Sequence, residues 1–385
     1  MARVLSGSPV IELELLGERG PALEPGRPFV LLDGRGGAVA SGVADPENEV
    51  IRILSHDAVD SFDLDFFRRR VAAALELRRR LGLGPGGDSA TYRLIHGEGD
   101  GLSGLHADVY GPFVVLYALS RGLLSLGRLA AQAILEAIEP EGVVIKVRPK
   151  KVQPGKVKQE CIGKEPPEKL VVEEHGVPHE VHLLGGLNVG LFTDMREHRR
   201  GLARFSRGSR VLNTFAYTGS LSVAAARGGA SEVTSVDLSS GVLKWAMENF
   251  RLSGIEPAEP RFRFVASDVI RFLKEERARK AEYDFIILDP PTYSAARAAG
   301  WSMKNDYPDL IALAAELLPG GGPGVLWVSS NVHRSRALLR HIEEGIGKSR
   351  REARVLETGG LPPDYPTPLE YPEARYLEVC YVAVS

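Results

Sequence analysis

Residues that suit chemistry on a nucleoside recur in order between positions 213 and 331. Asn213-Thr-Phe-Ala-Tyr-Thr-Gly219 is a turn that ends in glycine. Glycine lets the backbone approach a ligand closely and start a helix tightly. Val236-Asp237 follows, with its carboxylate about 20 residues after the turn, where an acid can accept both hydroxyls of a ribose. Ser267-Asp268-Val269 offers a second carboxylate, suited to an adenine amino group. Leu288-Asp289-Pro-Pro-Thr-Tyr293 combines an acid, a stiff turn without backbone donors and an aromatic ring. Taken singly, Asp237 and Asp268 read equally well as helix caps, Gly219 as a plain turn and Tyr293 as packing. Their joint order favours a nucleoside cofactor. The Gly-x-Gly-x-x-Gly of a dinucleotide site is missing.

These residues need elements that bring them to one edge. Strands are expected at Arg210–Phe215, Val233–Asp237, Phe262–Ala266, Tyr283–Leu288, Val325–Ser329 and Tyr376–Val384. Helices are expected at Leu221–Arg227, Val242–Leu252, Val269–Arg279, Leu310–Leu317 and Arg336–Glu344. Such alternation predicts a mostly parallel α/β sheet with helices on both faces. Ligands then bind beyond the carboxyl ends of the strands, where the acids and the glycine fall. Upstream, short strands at Val10–Leu16, Phe29–Leu32, Ala38–Gly42 and Val50–Leu54 predict a small β-rich domain over residues 1–57. A helix over 62–82 leads into a second region, to about residue 180. That region contains the densest lysine run, from Lys146 to Lys164. Its Lys150, Lys151, Lys156 and Lys158 suit a sequence-independent contact to a phosphate backbone, or equally a solvated loop.

Residues 185–385 resemble the class I S-adenosylmethionine (SAM)-dependent rRNA methyltransferases, the family that includes the large-subunit cytosine-C5 and guanine-N7 enzymes. The resemblance rests on Gly190-Leu-Phe-Thr-Asp-Met-Arg-Glu-His-Arg199, Val211-Leu-Asn-Thr-Phe-Ala-Tyr-Thr-Gly219, Val236-Asp-Leu-Ser239 and Leu288-Asp-Pro-Pro-Thr-Tyr293. It extends upstream through Tyr92-Arg-Leu-Ile95 and Gly99-Asp-Gly-Leu-Ser-Gly-Leu105. It implies three parts: a PUA-like RNA-binding β-barrel (1–57), a linker helix with an α+β middle domain (58–180), and a Rossmann-like methyltransferase domain (181–385). It also implies SAM as cofactor. Asn213, Phe215 and Gly219, with Tyr217 and Thr218, would surround its methionine part. Asp237, with Leu238 and Ser239, would hold the ribose, and Asp268 with Val269 the adenine edge. Phe192, Asp194 and Arg196 would lie over the cofactor, with Arg196 available to its carboxylate. Met195 stands where many relatives carry glutamine.

The family divides by chemistry. Carbon 5 of cytosine is a poor nucleophile, and enzymes that methylate it first add a cysteine thiolate to the ring. A base nitrogen needs only extrusion, an aromatic face and acceptors for its N–H groups. The cytosine-C5 relatives carry their cysteine just after the fifth strand, where this chain reads Val328-Ser-Ser-Asn-Val-His333. Asn331 stands in place of the thiol. The chain's two cysteines, Cys161 and Cys380, fall outside the predicted active end. The expectation is direct transfer to a base nitrogen, guanine N7 favoured. Asp289 and the Pro290 carbonyl would accept amino protons, Tyr293 would stack, and Asn331 would read a further edge. Asp289 would also border the cofactor.

The bulk properties are compatible. A chain of 385 residues with 44% hydrophobic and 25% charged residues is globular and of more than one domain. A net charge of −2 excludes a uniformly basic nucleic-acid binder but not a local basic face. Two distant cysteines speak for a reducing compartment and against a metal cluster. No signal peptide or membrane span is evident. The expected setting is cytoplasmic, with ribosomal RNA (23S) or an assembling subunit as partner and homodimerisation left open.

Overall fold

A computed structural model gives the structure and describes residues 7–16, 24–57, 61–148, 158–291, 293–294, 301–331 and 337–385. The chain forms two compact units. One comprises residues 1–177, 181–194 and 363–374, and the other 178–180, 195–362 and 375–385.

The first unit opens with β1 (Val10–Glu12), β2 (Pro28–Leu32), β3 (Ala38–Asp45) and β4 (Val50–Ser55), an antiparallel sheet in the order β1-β4-β3-β2. The strand expected over Val10–Leu16 stops at Glu12. Leu13–Leu16 is a short 3-10 turn, fastened by Leu13 N donating to Glu49 O (2.9 Å). Next come α1 (Leu64–Arg80), β5 (Thr91–His96), β6 (Leu105–Tyr110), β7 (Phe113–Ala118), α2 (Leu124–Ile138), β8 (Gly142–Val147) and β9 (Gln159–Gly163). Strands β5 to β9 form a five-stranded sheet in sequence order, in which only β7 and β8 run parallel. Helix α1 starts at an N-cap, Asp63, whose side chain accepts from Phe66 N. Val71 and Leu75 of α1, Ile134 of α2, and Val43 and Leu54 of the first sheet share one core. A hairpin, β10 (Leu170–Glu174) and β11 (Val177–Val181), follows.

The second unit contains α3 (Arg196–Ser206), β12 (Arg210–Thr214), α4 (Ser220–Arg227), β13 (Glu232–Asp237), α5 (Ser240–Leu252), β14 (Phe262–Ala266), α6 (Val269–Ala278) and β15 (Phe285–Leu288). A short hairpin, β16 (Tyr293–Ser294) and β17 (Trp301–Ser302), precedes α7 (Met303–Ala315), β18 (Gly324–Ser330), α8 (Ala337–Ser349), β19 (Ala353–Gly360) and β20 (Glu378–Val384). The sheet order is β14-β13-β12-β15-β18-β20-β19. The first five are parallel, and β20 is antiparallel to both β18 and β19. Strand order reverses between β12 and β15, the place where such sheets bind ligands. All four residues of β15 are buried, as a strand covered on both faces requires. The expected α/β fold with a Rossmann-like sheet is therefore present. Strand β19 was not expected, and all but the last of its residues are exposed.

Candidate active site

The turn after β12 is strained. Phe215 (φ 56°), Tyr217 (φ 49°) and Gly219 (φ 74°) all adopt left-handed backbone. For a non-glycine residue this costs about 1–2 kcal/mol, so the surroundings must hold it. Ala216 N donates to Val236 O (2.9 Å) and Gly219 N to Ala216 O (2.8 Å). Tyr217 N donates to Asp237 Oδ2 (3.0 Å), while Asp237 Oδ1 accepts from Ser239 N (2.9 Å). The Asp237 carboxylate thus ties the first strand-helix turn to the second. Ser239 caps α5 through Val242 N, so Asp237 itself is not the cap. Beside it Leu238 is 57% exposed, an apolar surface open to a ligand. At Gly219 a Cβ would stand 2.7 Å from Ala246 Cβ, which makes glycine a packing requirement as well as a conformational one.

Asn213 closes β12. Its Nδ2 donates to Ser222 Oγ (2.8 Å), which lies 2.7 Å from Ser235 Oγ. Asn213 is fully buried, and its Oδ1 has no hydrogen-bond partner among the described residues. A buried acceptor left unmet at a strand end calls for a donor from outside the chain. That orphan oxygen, the strained turn, the half-buried Asp237 and the open face of Leu238 fit a nucleoside carrying an amino-acid tail, as SAM does. Thr218 is buried. Asp268 caps α6, accepting from Arg271 N at 3.0 Å, and Val269 begins the helix behind it.

Across the switch point, Asp289 and Pro290 follow β15, Asp289 half-buried and Pro290 buried. Ser329 near the end of β18 donates its hydroxyl to Asp289 Oδ1. Tyr307 of α7 donates to Ser329 O (2.6 Å) and stands 3.4 Å from Leu288 O. Burial first, and then the negative charge of Asp289, push the Tyr307 phenol well above its ordinary value, so it stays a neutral donor. Asn331 lies exposed just beyond β18. The Tyr293 side chain and Lys150, Lys151 and Lys156 lie outside the described residues.

Three further groups of expected residues come from other segments of the chain. Phe192 (45% exposed) and the half-buried Asp194 belong to the first unit. Arg196 opens α3 in the second unit, is 2% exposed, and donates from Nε to Glu197 Oε1 (3.1 Å). Lys158 is exposed in the first unit. Lys146, counted in the exposed lysine run, is instead fully buried in β8, where Nζ donates to Gly186 O. Burial pulls it down to about 8. Its apolar strand neighbours fixed its environment more strongly than the charges after it.

Cys380 is opposite Val328 inside β20, buried in the sheet core, where burial pushes its thiol up to about 11. Cys161 belongs to the first unit, with Sγ 3.3 Å from Lys164 O. Among the described residues no cluster of three His, Cys, Asp or Glu is placed to hold a metal.

Sequence reasoning missed Asn249, Ser329 and Tyr307. Asn249 of α5 donates from Nδ2 to Thr218 O (2.8 Å) and accepts Glu180 N on Oδ1 (2.8 Å). It braces the strained turn from a position 31 residues downstream. No local pattern announces such a contact. Ser329 was in view only as a neighbour of Asn331.

Comparison with known proteins agrees with this geometry. Residues 116–364 match the S-adenosylmethionine-dependent methyltransferase family. The chain is 33% identical to Ribosomal RNA large subunit methyltransferase I of Aeromonas salmonicida, over 85% of this chain and 82% of that one. It is 32% identical to the protein of the same name from Escherichia coli, over 92% and 89% of the two chains. Among solved structures, SMU.776 complexed with SAH superposes with a TM-score of 0.88 at 24% identity, covering 99% of this chain and 97% of that one, which shows a shared fold.

Proposed function

Because the chain belongs to the S-adenosylmethionine-dependent methyltransferase family, we propose that it methylates a base nitrogen of RNA, large-subunit ribosomal RNA first, with guanine N7 the favoured atom and no cysteine adduct. The observation that carries the chemistry is Asn331 just beyond β18, with Cys380 buried in the sheet core opposite Val328. The names of the relatives in Aeromonas salmonicida and Escherichia coli support the RNA substrate.

SAM supplies an activated methyl group, so the protein's task is to position a nucleophile. Asn213, Phe215, Tyr217, Thr218 and Gly219 form the turn that receives the methionine portion. Asp237, already oriented by two backbone donors, accepts from the ribose beside Leu238 and Ser239. Asp268 and Val269 border the adenine. The target base leaves its stack and lies on Tyr293. Asp289 and the Pro290 carbonyl accept its amino protons, and Asn331 reads a second edge. Guanine N7 carries a lone pair and no proton, so the transfer requires no general base.

The upstream parts serve the RNA in this reading. Residues 1–57 act as a PUA-like module, 58–180 as the middle domain and 181–385 as the methyltransferase domain. Lys150, Lys151, Lys156 and Lys158 contact phosphates. The setting is cytoplasmic. The test incubates the full chain with SAM and an unmodified transcript of large-subunit rRNA, then identifies the methylated nucleoside by mass spectrometry. A base-nitrogen product is expected. A 5-methylcytosine product, or a covalent band with RNA containing 5-fluorocytosine, overturns the reading.

A further inference from the structure

The carboxylate expected to face the substrate is held by a hydroxyl from a different strand. Ser329 is fully buried and gives its proton to Asp289 Oδ1, and its Oγ is also 3.5 Å from Leu288 O. Tyr307, equally buried, places its phenol oxygen between the carbonyls of Ser329 and Leu288. Those carbonyls lie on β18 and β15, paired in register through Leu288 and Val328, where the strands reach the ligand edge of the sheet. The two prolines after Asp289 remove backbone donors from the turn. They stiffen the main chain but leave the side-chain torsions of Asp289 to be set by another group.

Resting on the base-nitrogen reading, we propose that Ser329 is a positioning residue: its hydroxyl, braced by Tyr307, locks the rotation of the Asp289 carboxylate in the orientation that accepts the amino protons of the target base. A hydroxyl that donates to a carboxylate favours its ionised form. An ionised Asp289 offers only acceptors, matched to a base edge that presents N–H donors rather than lone pairs. Ser329 touches neither cofactor nor base in this arrangement and acts only through Asp289. A carboxylate turned away from the base would leave the nucleophile misaligned, and misplacement on the scale of 1 Å lowers turnover about 100-fold.

The experiment compares wild type, Ser329→Ala and Ser329→Thr as full chains. Methyl transfer to the large-subunit rRNA transcript, SAM affinity and thermal midpoint are measured together. In Ser329→Ala, kcat falls by about 10- to 100-fold, while KM for the transcript, SAM affinity and midpoint stay near wild type. Ser329→Thr keeps a hydroxyl and restores most of kcat. A merely structural serine would shift midpoint or SAM affinity with kcat, and the threonine rescue would not track turnover. A second measurement needs no substrate. With 13C-labelled aspartate, and the signal assigned through Asp289→Asn, the carboxyl of Asp289 titrates at higher pH in Ser329→Ala and returns in Ser329→Thr. Tyr307 is a titratable neighbour from α7, and burial holds its phenol well above its ordinary value, so it stays neutral while a carboxylate titrates. Full turnover in Ser329→Ala, or an unchanged Asp289 titration, overturns the proposal. A ring-carbon product from wild type sinks the base-nitrogen reading alone, because the titration still reports on Ser329.

Discussion

The two flanks of strand β12 handle their acids differently. On one flank, Asp237 and Asp268 are held by main-chain N–H groups within twenty residues of themselves. On the other, Asp289 is held by a serine hydroxyl forty residues downstream, on the neighbouring strand. Main-chain donors come with any turn of the right shape, so the first flank is specified by backbone conformation. A hydroxyl donor exists only where one particular side chain stands, so the second flank can be altered by single substitutions without disturbing the sheet. A cofactor common to a family suits the first arrangement, and a substrate that differs between members suits the second.

The sharpest way to break this contrast is Asp289→Asn. Removing an acceptor made for the reacting group should lower kcat by about 100- to 1000-fold and weaken SAM binding far less, measured by calorimetry beside rRNA-transcript turnover. Equal losses in both would erase the division of labour. Next comes Asp237→Ala on the other flank. Losing a charge-assisted contact costs about 1.5–3 kcal/mol, so SAM affinity should drop at least about tenfold in a protein that remains folded. Unaltered affinity would mean that Asp237 serves the turn alone.

A smaller effect is expected from Gly219→Ala. The added Cβ would meet Ala246 Cβ at 2.7 Å, and the backbone is at φ 74°. Overpacking of this kind costs about 1–3 kcal/mol, read as a lower thermal midpoint together with weaker SAM binding. A wild-type midpoint would show that the turn relaxes freely. Smallest of all is the effect of replacing both thiols, Cys161→Ser with Cys380→Ala, which should leave turnover within about threefold, since loss of a true nucleophile costs orders of magnitude more. Because burial lifts Cys380 to about 11, iodoacetamide at pH 8 should leave it unmodified in the folded protein. Rapid alkylation, or collapse of activity in the double variant, would return a cysteine to the second flank.

The same contrast explains what could be read before the structure. The turn ending in Gly219, the acids at strand ends and the Asp-Pro-Pro turn are local patterns, and the parallel sheet follows from their alternation with helices. Tyr307, Ser329 and Asn249 act across 22, 40 and 31 residues, and nothing beside them in the chain records their partners. Strand β19 escaped for the opposite reason. It lies at the sheet edge with Val355 and Leu356 about half exposed, so no alternation of buried and exposed positions marks it. Lys146 shows how a charge run misleads when one member occupies an apolar strand.

The excursion of residues 363–374 into the first unit bears on how the chain is made. Arg78 Nη2 donates to Asp364 O, and Arg93 N to Asp364 Oδ2, partners separated by 286 and 271 residues. At roughly 5–20 residues per second of synthesis, Asp364 emerges about a quarter of a minute to a minute after those arginines. The first unit therefore waits, incomplete, while nearly the whole of the second is translated. No single cut through the polypeptide can release either unit with its interior bonds intact.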